Sequence, residues 1–324
     1  MNDIKTLDTL FIVNPSSGKF NALNIFNGIK PSLNKNFILL VTTSKRDTKN
    51  LINSIDCSKI NKIIGVGGDG TIKEIMEAII NKGNPSKKIS FGHIPAGTGN
   101  GLAASIMYNN KLEYNLKNSI IPFNNNNIKN IDISTVESNN CIHHSFLALS
   151  IGFISDIDIN TEFMRFIGSF RYYLGSIYGL YKMQTYNLKL FYNDTNNYLE
   201  NITLKDKIPN EWKSITGDFI MMWAVNVTHP SYDVFINSNI KFNDGFHHII
   251  LIRNNITRWE LLWILLELDK GNIIEHPKVI YLKTKQYRII VNKDDNGIIT
   301  VDGEDIGYNN VHVNVKNEYM NIVA

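Results

Sequence analysis

The stretch at residues 62–74, KIIGVGGDGTIKE, constrains the fold of this chain more than any other part of it. A short run of branched apolar residues is typical of a buried parallel strand, and here it ends abruptly at glycines. Apolar residues at helical spacing follow at once. Bare backbone N–H groups and the positive end of the helix dipole suit such a loop to phosphate. The stretch therefore predicts a strand, a phosphate-binding loop and a helix.

Asp69 is a carboxylate inside this predicted loop. A carboxylate repels phosphate unless a cation lies between the two groups or the carboxylate takes part in proton chemistry. Asp69 is therefore interpreted either as a general base or as a residue on the metal side. A structural interpretation stays open as well, because a tight Asp-Gly turn with a capping aspartate is common in α/β proteins.

Composition and charge exclude several classes of protein. With 324 residues, 43% apolar and 19% charged, the chain is expected to form two globular domains. A net charge of +3 without a basic stripe argues against nucleic-acid binding, although it allows mild attraction to an anionic membrane surface. The two cysteines, Cys57 and Cys141, lie far apart in the sequence without metal-ligand spacing, so neither a zinc site nor a disulfide framework is expected. Without a signal peptide or a spanning apolar run, the sequence predicts a soluble cytoplasmic protein.

Four segments of the first half repeat an apolar strand, a loop of small residues and a helix. The strands are expected at 10–13, 37–41, from 62 and at 89–94, and the helices at 21–32, 48–54, from 72 and at 102–106. This alternation predicts a parallel sheet covered by helices on both faces. The loops after the strands would then share one ligand site, since the carboxyl ends of parallel strands meet at one edge. Neither a Walker lysine motif nor a dinucleotide fingerprint is present.

The second half changes rhythm after an Asn-rich segment at 108–129, which is interpreted as a linker. Alternating stretches predict an antiparallel β-sandwich with strands at 129–136, 144–151, 186–193, 198–204, 217–228, 240–252, 278–292, 298–302 and 311–323. Asn296-Gly297 predicts a hairpin between two of them. Helices are expected at 160–184 and 257–269. We therefore expect an α/β domain at 1–125 and a β-sandwich domain at 126–324.

The later predicted helix is apolar around most of its circumference at residues 259–268. It is too short to cross a bilayer. A helix of this kind is either part of a core, a lid over an apolar ligand site, or a surface that touches a membrane. The sequence leaves these three alternatives open.

Several loop motifs, taken together in order and spacing, resemble the catalytic domain of the diacylglycerol and sphingosine kinase superfamily. In the first half these motifs are Asn14-Pro15-x-Ser17-Gly18-Lys19, Gly67-Gly68-Asp69-Gly70-Thr71 with Glu74, and Pro95-Ala96-Gly97-Thr98-Gly99-Asn100. The second motif also occurs in NAD kinases. The second half narrows the resemblance to sphingosine kinases, through the stretch at 149–158, Arg165, the stretch at 170–175 and the closing motif at 301–304.

The resemblance implies an ATP-dependent lipid kinase with an α/β nucleotide-binding domain and a β-sandwich lipid-binding domain. Its substrate would be the primary hydroxyl of a sphingoid base, with Asp69 as general base and Mg²⁺ on the phosphates. The positions that match nucleotide-binding residues are Asn14, Thr43, Gly67, Gly68, Gly70, Glu74, Gly97, Thr98, Gly99, Arg165, Arg171, Asp302, Gly303 and Glu304. Asp302 and Glu304 also match acidic residues near the metal. Solvated arginines and a plain Asp-Gly turn between strands remain the structural alternatives.

The two arginines lie six residues apart, which places them about 120° apart on a continuous helix. Both can reach one ligand only if the helix bends or starts between them, and Gly168 is the predicted place.

Asp158 matches the position that would select the lipid. A sphingoid base carries an ammonium beside its hydroxyl, and diacylglycerol does not, so selection of the first needs a carboxylate. Asp156 is held in reserve, because the two aspartates share a side if the stretch is extended. Alternatively, both could open the following helix as capping acids.

Two rival functions remain at this point. The first is a kinase of the same fold that acts on diacylglycerol, ceramide or another neutral lipid, for which Asp158 would be dispensable. The second is a lipid-binding protein that has lost turnover. The expected partners are the lipid and a membrane surface in peripheral contact, with no nucleic acid and a homodimer left open.

Overall fold

The computed structural model describes residues 8–18, 20–33, 36–43, 47–83, 89–195, 198–200 and 202–324. In chain order its strands are β1 (Thr9–Val13), β2 (Phe37–Val41), β3 (Lys62–Gly67), β4 (Ser90–Pro95), β5 (Ile128–Ser138), β6 (Cys141–Ser145), β7 (Ala148–Gly152), β8 (Tyr186–Tyr192), β9 (Lys213–Val225), β10 (His247–Arg253), β11 (Val279–Thr284), β12 (Gln286–Val291), β13 (Ile299–Val301), β14 (Glu304–Asp305) and β15 (Val311–Val323).

The α-helices of the same residues are α1 (Ala22–Ile29), α2 (Asp47–Ser54), α3 (Asp69–Asn81), α4 (Gly101–Asn109), α5 (Leu116–Ser119), α6 (Ile121–Asn124), α7 (Phe153–Asn160), α8 (Phe170–Lys182) and α9 (Arg258–Leu266). Short 3₁₀ helices cover Lys30–Ser32, Cys57–Lys59, Glu162–Ile167, Ile273–Glu275 and Lys293–Asp295. The segment predicted as a linker contains α5 and α6.

The chain divides into two compact units, Met1–Ile131 with Glu318–Ala324, and Asp132–Asn317. The sequence prediction placed the boundary between residues 125 and 126 and gave the whole C-terminus to the second domain. The C-terminal segment belongs to the first unit because the end of β15 runs parallel to β4, with Asn321 opposite Ser90.

The first unit is a parallel sheet with the strand order β2, β1, β3, β4, as the fourfold alternation predicts. The strands are in register, so that Thr9 lies opposite both Phe37 and Lys62. Successive residues of β1, β3 and β4 are buried, which shows that both faces of the sheet are covered. Helix α1 contributes Ala22, Phe26 and Ile29 from one of its faces to this core.

The second unit is an antiparallel, sandwich-like region, also as predicted. Strand β9 is central to this region, because it pairs with β7, β8 and β10. Successive residues at the end of β9 enter two different cores: Met222 and Ala224 join one cluster, and Met221 and Trp223 join the other. Both faces of the C-terminal half of this strand are therefore buried.

The hairpin predicted at Asn296-Gly297 is wrong. Strand β12 pairs with β8 and β15, whereas β13 pairs with β7 and β14. Asn296 does adopt the left-handed conformation, with φ of 47°, but it ends the 3₁₀ helix Lys293–Asp295. Gly297 is packed closely by Tyr186 and Tyr308. Asn296 thus adopts the turn conformation that the sequence indicated, but the strands on either side of it pair with other strands.

Other predicted boundaries shifted. The stretches at 144–151 and 278–292 each form two strands, and no strand lies in the described residues of 198–204. Helix α7 was not predicted, because residues 153–160 were interpreted as extended or as the approach to a later helix. Among the residues that the structure describes, no helix has the length and apolar character needed to cross a membrane.

Candidate active site

Asp69 is the first residue of α3, directly after the glycines that end β3. Its carboxylate accepts hydrogen bonds from the backbone N–H groups of Gly101, at 3.0 Å, and Leu102, at 3.2 Å. These two residues begin α4, so the carboxylate lies at the positive end of that helix. Asp69 does not cap its own helix, whose N-cap is Gly68. Its side chain remains 12% exposed, and the carboxylate is therefore both fixed and accessible.

The loop after β4 lies against the Asp69 loop, backbone to backbone. A side chain at Gly97 would collide with Gly68, so this close approach requires glycine. Asn100 closes the same loop: its side-chain oxygen accepts from the Gly97 N–H at 2.8 Å, and its amide donates to the Gly97 carbonyl at 2.9 Å. Thr98 and Gly99 lie between them and are partly exposed.

The loop after β1 joins this arrangement. Asn14 donates a hydrogen bond from its side chain to the hydroxyl of Thr71 in the first turn of α3, at 3.1 Å. Gly18 has φ of 56°, and a side chain there would collide with the carbonyl of Ala96. Three of the predicted loops therefore converge, which confirms the expectation that the carboxyl ends of the strands share an edge. Lys19 lies outside the described residues.

The other predicted nucleotide-binding residues of the first unit, Thr43, Gly70 and Glu74, are exposed or partly exposed. Thr43 is exposed, and its N–H and hydroxyl both donate to the carboxylate of Asp47 at 2.8 Å. Residues 44–46 of its loop lie outside the described part of the chain. Gly70 is exposed and Glu74 is partly exposed on α3.

His93 is a residue that the sequence analysis missed. It lies on β4, fully buried, with Nε2 3.0 Å from the carbonyl oxygen of Gly67 and Nδ1 3.8 Å from a carboxylate oxygen of Asp69. Burial lowers its pKa, against the opposing effects of the Asp69 charge and the Gly67 carbonyl. A single histidine in an otherwise apolar strand, just before a functional loop, was the available signal.

In the second unit, Asp156 and Asp158 lie on α7. The expectation that they share a side was wrong, because residues two apart on a helix point about 200° apart. The helix starts directly after Gly152, whose φ of 79° turns the chain away from β7. Neither aspartate opens the later helix α8.

The environments of these two carboxylates differ. Asp156 accepts a hydrogen bond of 2.6 Å from the hydroxyl of Tyr186, and burial raises its pKa to about 6 although this bond and Lys182 oppose the shift. Burial also raises the pKa of Asp158 to about 6, opposed by Arg171 and reinforced by Glu162. Both charges are thus costly in the folded chain unless a cation approaches.

Arg171 is buried on α8. Its guanidinium donates to the backbone oxygen of Asp158 at 3.1 Å, to the hydroxyl of Thr161 at 3.2 Å and to the hydroxyl of Tyr172 at 2.8 Å. The helix does break where the sequence indicated: the 3₁₀ helix ends at Ile167 and α8 starts at Phe170, after Gly168. The side chain of Arg165 lies outside the described part of the structure.

Asp302 lies in the turn between β13 and β14, and its carboxylate is buried. It accepts hydrogen bonds from the hydroxyl of Ser145 at 2.6 Å and from three backbone N–H groups at 3.0–3.2 Å, which belong to Phe146, Leu147 and Ala148. Three of these donors reach Oδ1 and one, the N–H of Phe146, reaches Oδ2, so most of the hydrogen bonding falls on one oxygen. The next residue, Gly303, has φ of 78°, and Glu304 is exposed. A contact of Asp302 with a metal stays a prediction.

Comparisons with known proteins bear on these sites. Residues 8–136 match the diacylglycerol kinase catalytic domain. Sphingosine kinase 2 of Arabidopsis thaliana is 26% identical over 91% of this chain and 68% of its own length, and human sphingosine kinase 1 is 24% identical over 91% and 85%. The crystal structure of a diacylglycerol kinase from Bacillus anthracis str. Sterne superposes with a TM-score of 0.65 at 15% identity, covering 98% of this chain and 97% of that one, which supports the fold.

The matched domain contains all three converging loops with Asp69, and the similarity to the sphingosine kinases continues through the second unit. Residues 8–136 therefore match the diacylglycerol kinase catalytic domain, most of the chain is similar to sphingosine kinases, and the protein is a lipid phosphotransferase.

Proposed function

We propose that this lipid kinase transfers the γ-phosphoryl group of ATP to the primary hydroxyl of a sphingoid base. The observation that carries the proposal is the carboxylate of Asp69, held by two N–H groups of α4 among three glycine-containing loops. The similarity to sphingosine kinases over most of the chain supports the choice of substrate class.

Asp69 acts as the general base of the reaction. It takes the proton of the substrate hydroxyl while the hydroxyl oxygen forms a bond to the γ-phosphorus, and the bond from that phosphorus to the oxygen of ADP breaks. The loops that contain Asn14, Gly68 and Gly97 bind phosphate oxygens, and the N-terminus of α3 adds its dipole. Arg165 and Arg171 are proposed to bind the triphosphate as charged donors.

Mg²⁺ is expected to accompany the nucleotide, and when bound it neutralises charge on the phosphates. This ion commonly uses one or two carboxylates together with substrate phosphates. The exposed carboxylate of Glu304 fits such a role. Asp302 fits it less directly, because four protein donors already occupy its carboxylate, so we propose that it holds the turn that presents Glu304.

Asp158 is proposed to recognise the ammonium of the sphingoid base. Burial disfavours its charge in the absence of a cation, so pairing with an ammonium relieves an existing cost. Asp156 is the weaker candidate, because the hydroxyl of Tyr186 already binds its carboxylate.

A labelled-ATP assay on sphingosine, dihydrosphingosine, diacylglycerol and ceramide tests this function. We expect both sphingoid bases to be used and the two neutral lipids to be used far less. Preference for diacylglycerol or ceramide would replace the proposal with the neutral-lipid kinase, and no transfer to any lipid by folded protein would favour the binding protein without turnover.

We also propose that the protein is cytoplasmic and meets its lipid at a membrane surface. The outer faces of α8, α9 and the 3₁₀ helix before α8 expose large apolar side chains, which we name the apolar face: Phe163, Phe166, Phe170, Tyr173, Leu174, Ile177, Tyr178, Tyr181, Trp259, Trp263 and Leu266. The α8 members recur at the spacing of one helical stripe. Arg258 joins the two helices by donating to the carbonyls of Leu180 and Tyr181.

Helix α9 is buried on one side and exposed on the other. Leu261 and Ile264 enter the core, whereas Trp259 and Trp263 are 74% and 62% exposed. Trp and Tyr favour the boundary between lipid and water, because their rings are apolar and their N–H or O–H groups are polar. A contiguous face of this composition is suited to a membrane surface.

Co-sedimentation with vesicles that contain anionic lipid tests the apolar face. Replacing Trp259 and Trp263 by Glu is expected to lower the bound fraction at least about tenfold, because each charge would have to enter the interface. Ile142→Glu is the matched control, since Ile142 is 65% exposed on β6, outside the apolar face. Equal binding by all variants, or a homodimer in solution that the Trp variants abolish, would contradict the membrane as occupant.

A further inference from the structure

His93 and Asp69 lie close together in the first unit, the imidazole fully buried and the carboxylate partly exposed. The carboxylate oxygen that faces Nδ1 of His93 at 3.8 Å also accepts the N–H of Leu102. Nδ1 is buried and has no hydrogen-bond partner among the residues that the structure describes, whereas Nε2 lies 3.0 Å from the carbonyl oxygen of Gly67. The imidazole is thus bound on one side only, and its other side is directed at the carboxylate.

The carbonyl of Gly67 decides the tautomer. A carbonyl oxygen can only accept, so Nε2 carries the hydrogen and donates it. In the neutral ring, Nδ1 is then an acceptor. Burial keeps the ring neutral, since it lowers the pKa of His93. An acceptor therefore faces an acceptor, and no hydrogen bond can form between Nδ1 and an ionised Asp69.

We propose that His93 is a positioning residue which receives a hydrogen bond from Asp69 once Asp69 has taken the proton of the substrate hydroxyl. This inference rests on the function proposed above. The proton leaves the substrate oxygen as the bond to phosphorus forms, and it resides on the Asp69 oxygen that faces Nδ1. An O–H to Nδ1 hydrogen bond then replaces the repulsion between two acceptors, after a small rotation that shortens the 3.8 Å separation.

The consequence is that the imidazole favours the protonated form of the base without touching the substrate. Carboxylate charge is supported by the N–H groups of α4, and the proton-loaded form is supported by His93. Both forms that the base must adopt in one turnover thus have a partner, which lowers the barrier to proton transfer.

The other ionisable groups on the elements packed against β4 are Lys62 on β3, Lys73, Glu74 and Glu77 on α3, Tyr108 on α4, Lys117 on α5, and Glu318 and Tyr319 on the part of β15 that belongs to the first unit. The charge that acts on the pKa of His93 is that of Asp69. Asp69 is therefore the charged side chain that matters for the protonation of His93.

Two substitutions separate the two ring nitrogens. His93→Gln keeps an amide N–H near the position of Nε2, for the carbonyl of Gly67, but removes the acceptor that faces Asp69. His93→Asn does the reverse, since its side-chain oxygen lies near the position of Nδ1 and its bond to Gly67 is lost. We expect Gln to lower kcat about three- to tenfold, the effect of one hydrogen bond, with KM for ATP and lipid unchanged. We expect Asn to keep kcat more closely while lowering Tm.

The pH profile supplies a readout that a purely structural role would not change. In His93→Gln, the acid limb of kcat at saturating lipid should move to lower pH, because the protonated base has lost its partner. In His93→Asn it should stay in place. His248→Gln is the matched control: His248 is also buried and lies 2.9 Å from a carboxylate, that of Asp244, but on β10 of the second unit. It should leave both kcat and the profile unchanged.

¹⁵N NMR of labelled histidine tests the geometry without turnover. Wild-type protein should show His93 protonated at Nε2 and not at Nδ1, and Asp69→Asn should lower the pKa of His93 further by removing a charge that raises it. Protonation at Nδ1, or a His93 resonance that is insensitive to Asp69→Asn, would overturn the inference.

The outcomes distinguish this inference from the proposed function. If Asp69→Asn abolishes transfer while His93→Gln keeps wild-type kcat and pH profile, Asp69 remains the base and the role of His93 is refuted. If both His93 variants lose kcat only in proportion to their loss of Tm, His93 is structural. If Asp69→Asn is itself active, the proposed function fails first.

Discussion

Two carboxylates, Asp69 in the first unit and Asp158 in the second, are held in opposite ways. Asp69 accepts two N–H groups at the start of α4, so its negative charge is supported before any ligand arrives. Asp158 lies on α7, where burial disfavours its charge and raises its pKa to about 6. The first carboxylate is preorganised by the backbone, whereas the second gains most when a cation approaches.

This difference suits the two tasks that we propose. A general base is needed in every turnover, whatever the lipid. Two backbone hydrogen bonds that are present before the substrate binds therefore assist the reaction of every lipid equally. A selective site works by a difference in binding free energy between lipids. A desolvated carboxylate is stabilised by a lipid that carries an ammonium, whereas a neutral lipid leaves it without a cation. The following changes test the contrast, beginning with the largest expected effect.

Asp69→Asn should lower kcat on every lipid by roughly 10²–10⁴-fold, since the amide keeps the shape but cannot take the proton. Steady-state kinetics with sphingosine and with a neutral lipid measure this loss, and Tm verifies that the variant is folded. Near-normal turnover in the folded variant would remove Asp69 from the role of base.

Asp158→Ala should reduce kcat/KM for sphingosine by about 10²-fold, because the ammonium would be buried without its partner. A neutral lipid has no such group, so its kcat/KM should change far less. Measurements at saturating ATP, with Asp156→Ala in parallel, compare the two aspartates. Equal losses on both lipids would mean that Asp158 supports the fold, and a selective loss in Asp156→Ala alone would exchange their roles.

Arg171→Ala should raise KM for ATP about tenfold or more, because a charge-assisted contact contributes about 1.5–3 kcal/mol. It should also lower Tm, since the guanidinium binds Asp158, Thr161 and Tyr172 inside the second unit. Arg171→Lys keeps the charge but not the planar set of donors and serves as the comparison. A fall in Tm without any change in KM for ATP would make Arg171 a structural residue.

The smallest effect is expected from pH. With a pKa of about 6, Asp158 loses its charge as the pH falls below 6, so kcat/KM for sphingosine should drop by about tenfold by pH 5. Asp158→Asn should lack this particular limb. A limb that persists unchanged in Asp158→Asn would assign it to another group.

The raised pKa of Asp158 also makes the stability of the fold depend on pH. The folded pKa lies above the ordinary value of 3.8, so protonation of Asp158 favours the folded state below pH 4, and this contribution is lost as the pH rises through 6. Asp158→Asn should therefore be more stable than wild type at pH 7.5, with the difference shrinking by pH 4. Chemical denaturation at the two pH values measures it.

Much of the first unit could be predicted from the sequence. Strand, loop and helix succeed each other locally, and the glycines at 68 and 97 mark a place where two backbones approach closely. Such signals depend on only a few neighbouring residues, so they can be identified in the sequence. Strand pairing in the second unit depends on distant partners, which is why Asn296-Gly297 was a misleading hairpin signal and why α7 was missed.

The sequence by itself determined the four βα repeats, the loop that contains Asp69 and the break at Gly168, because each depends on short-range backbone preferences. Only the tertiary structure decided that α4 supports the carboxylate of Asp69, that His93 faces it, and that Asp156 and Asp158 point apart. It also decided that the apolar stripe of α8 faces outward. These features depend on which distant groups are buried together, since burial and long-range hydrogen bonds are properties of the folded chain and not of any short segment.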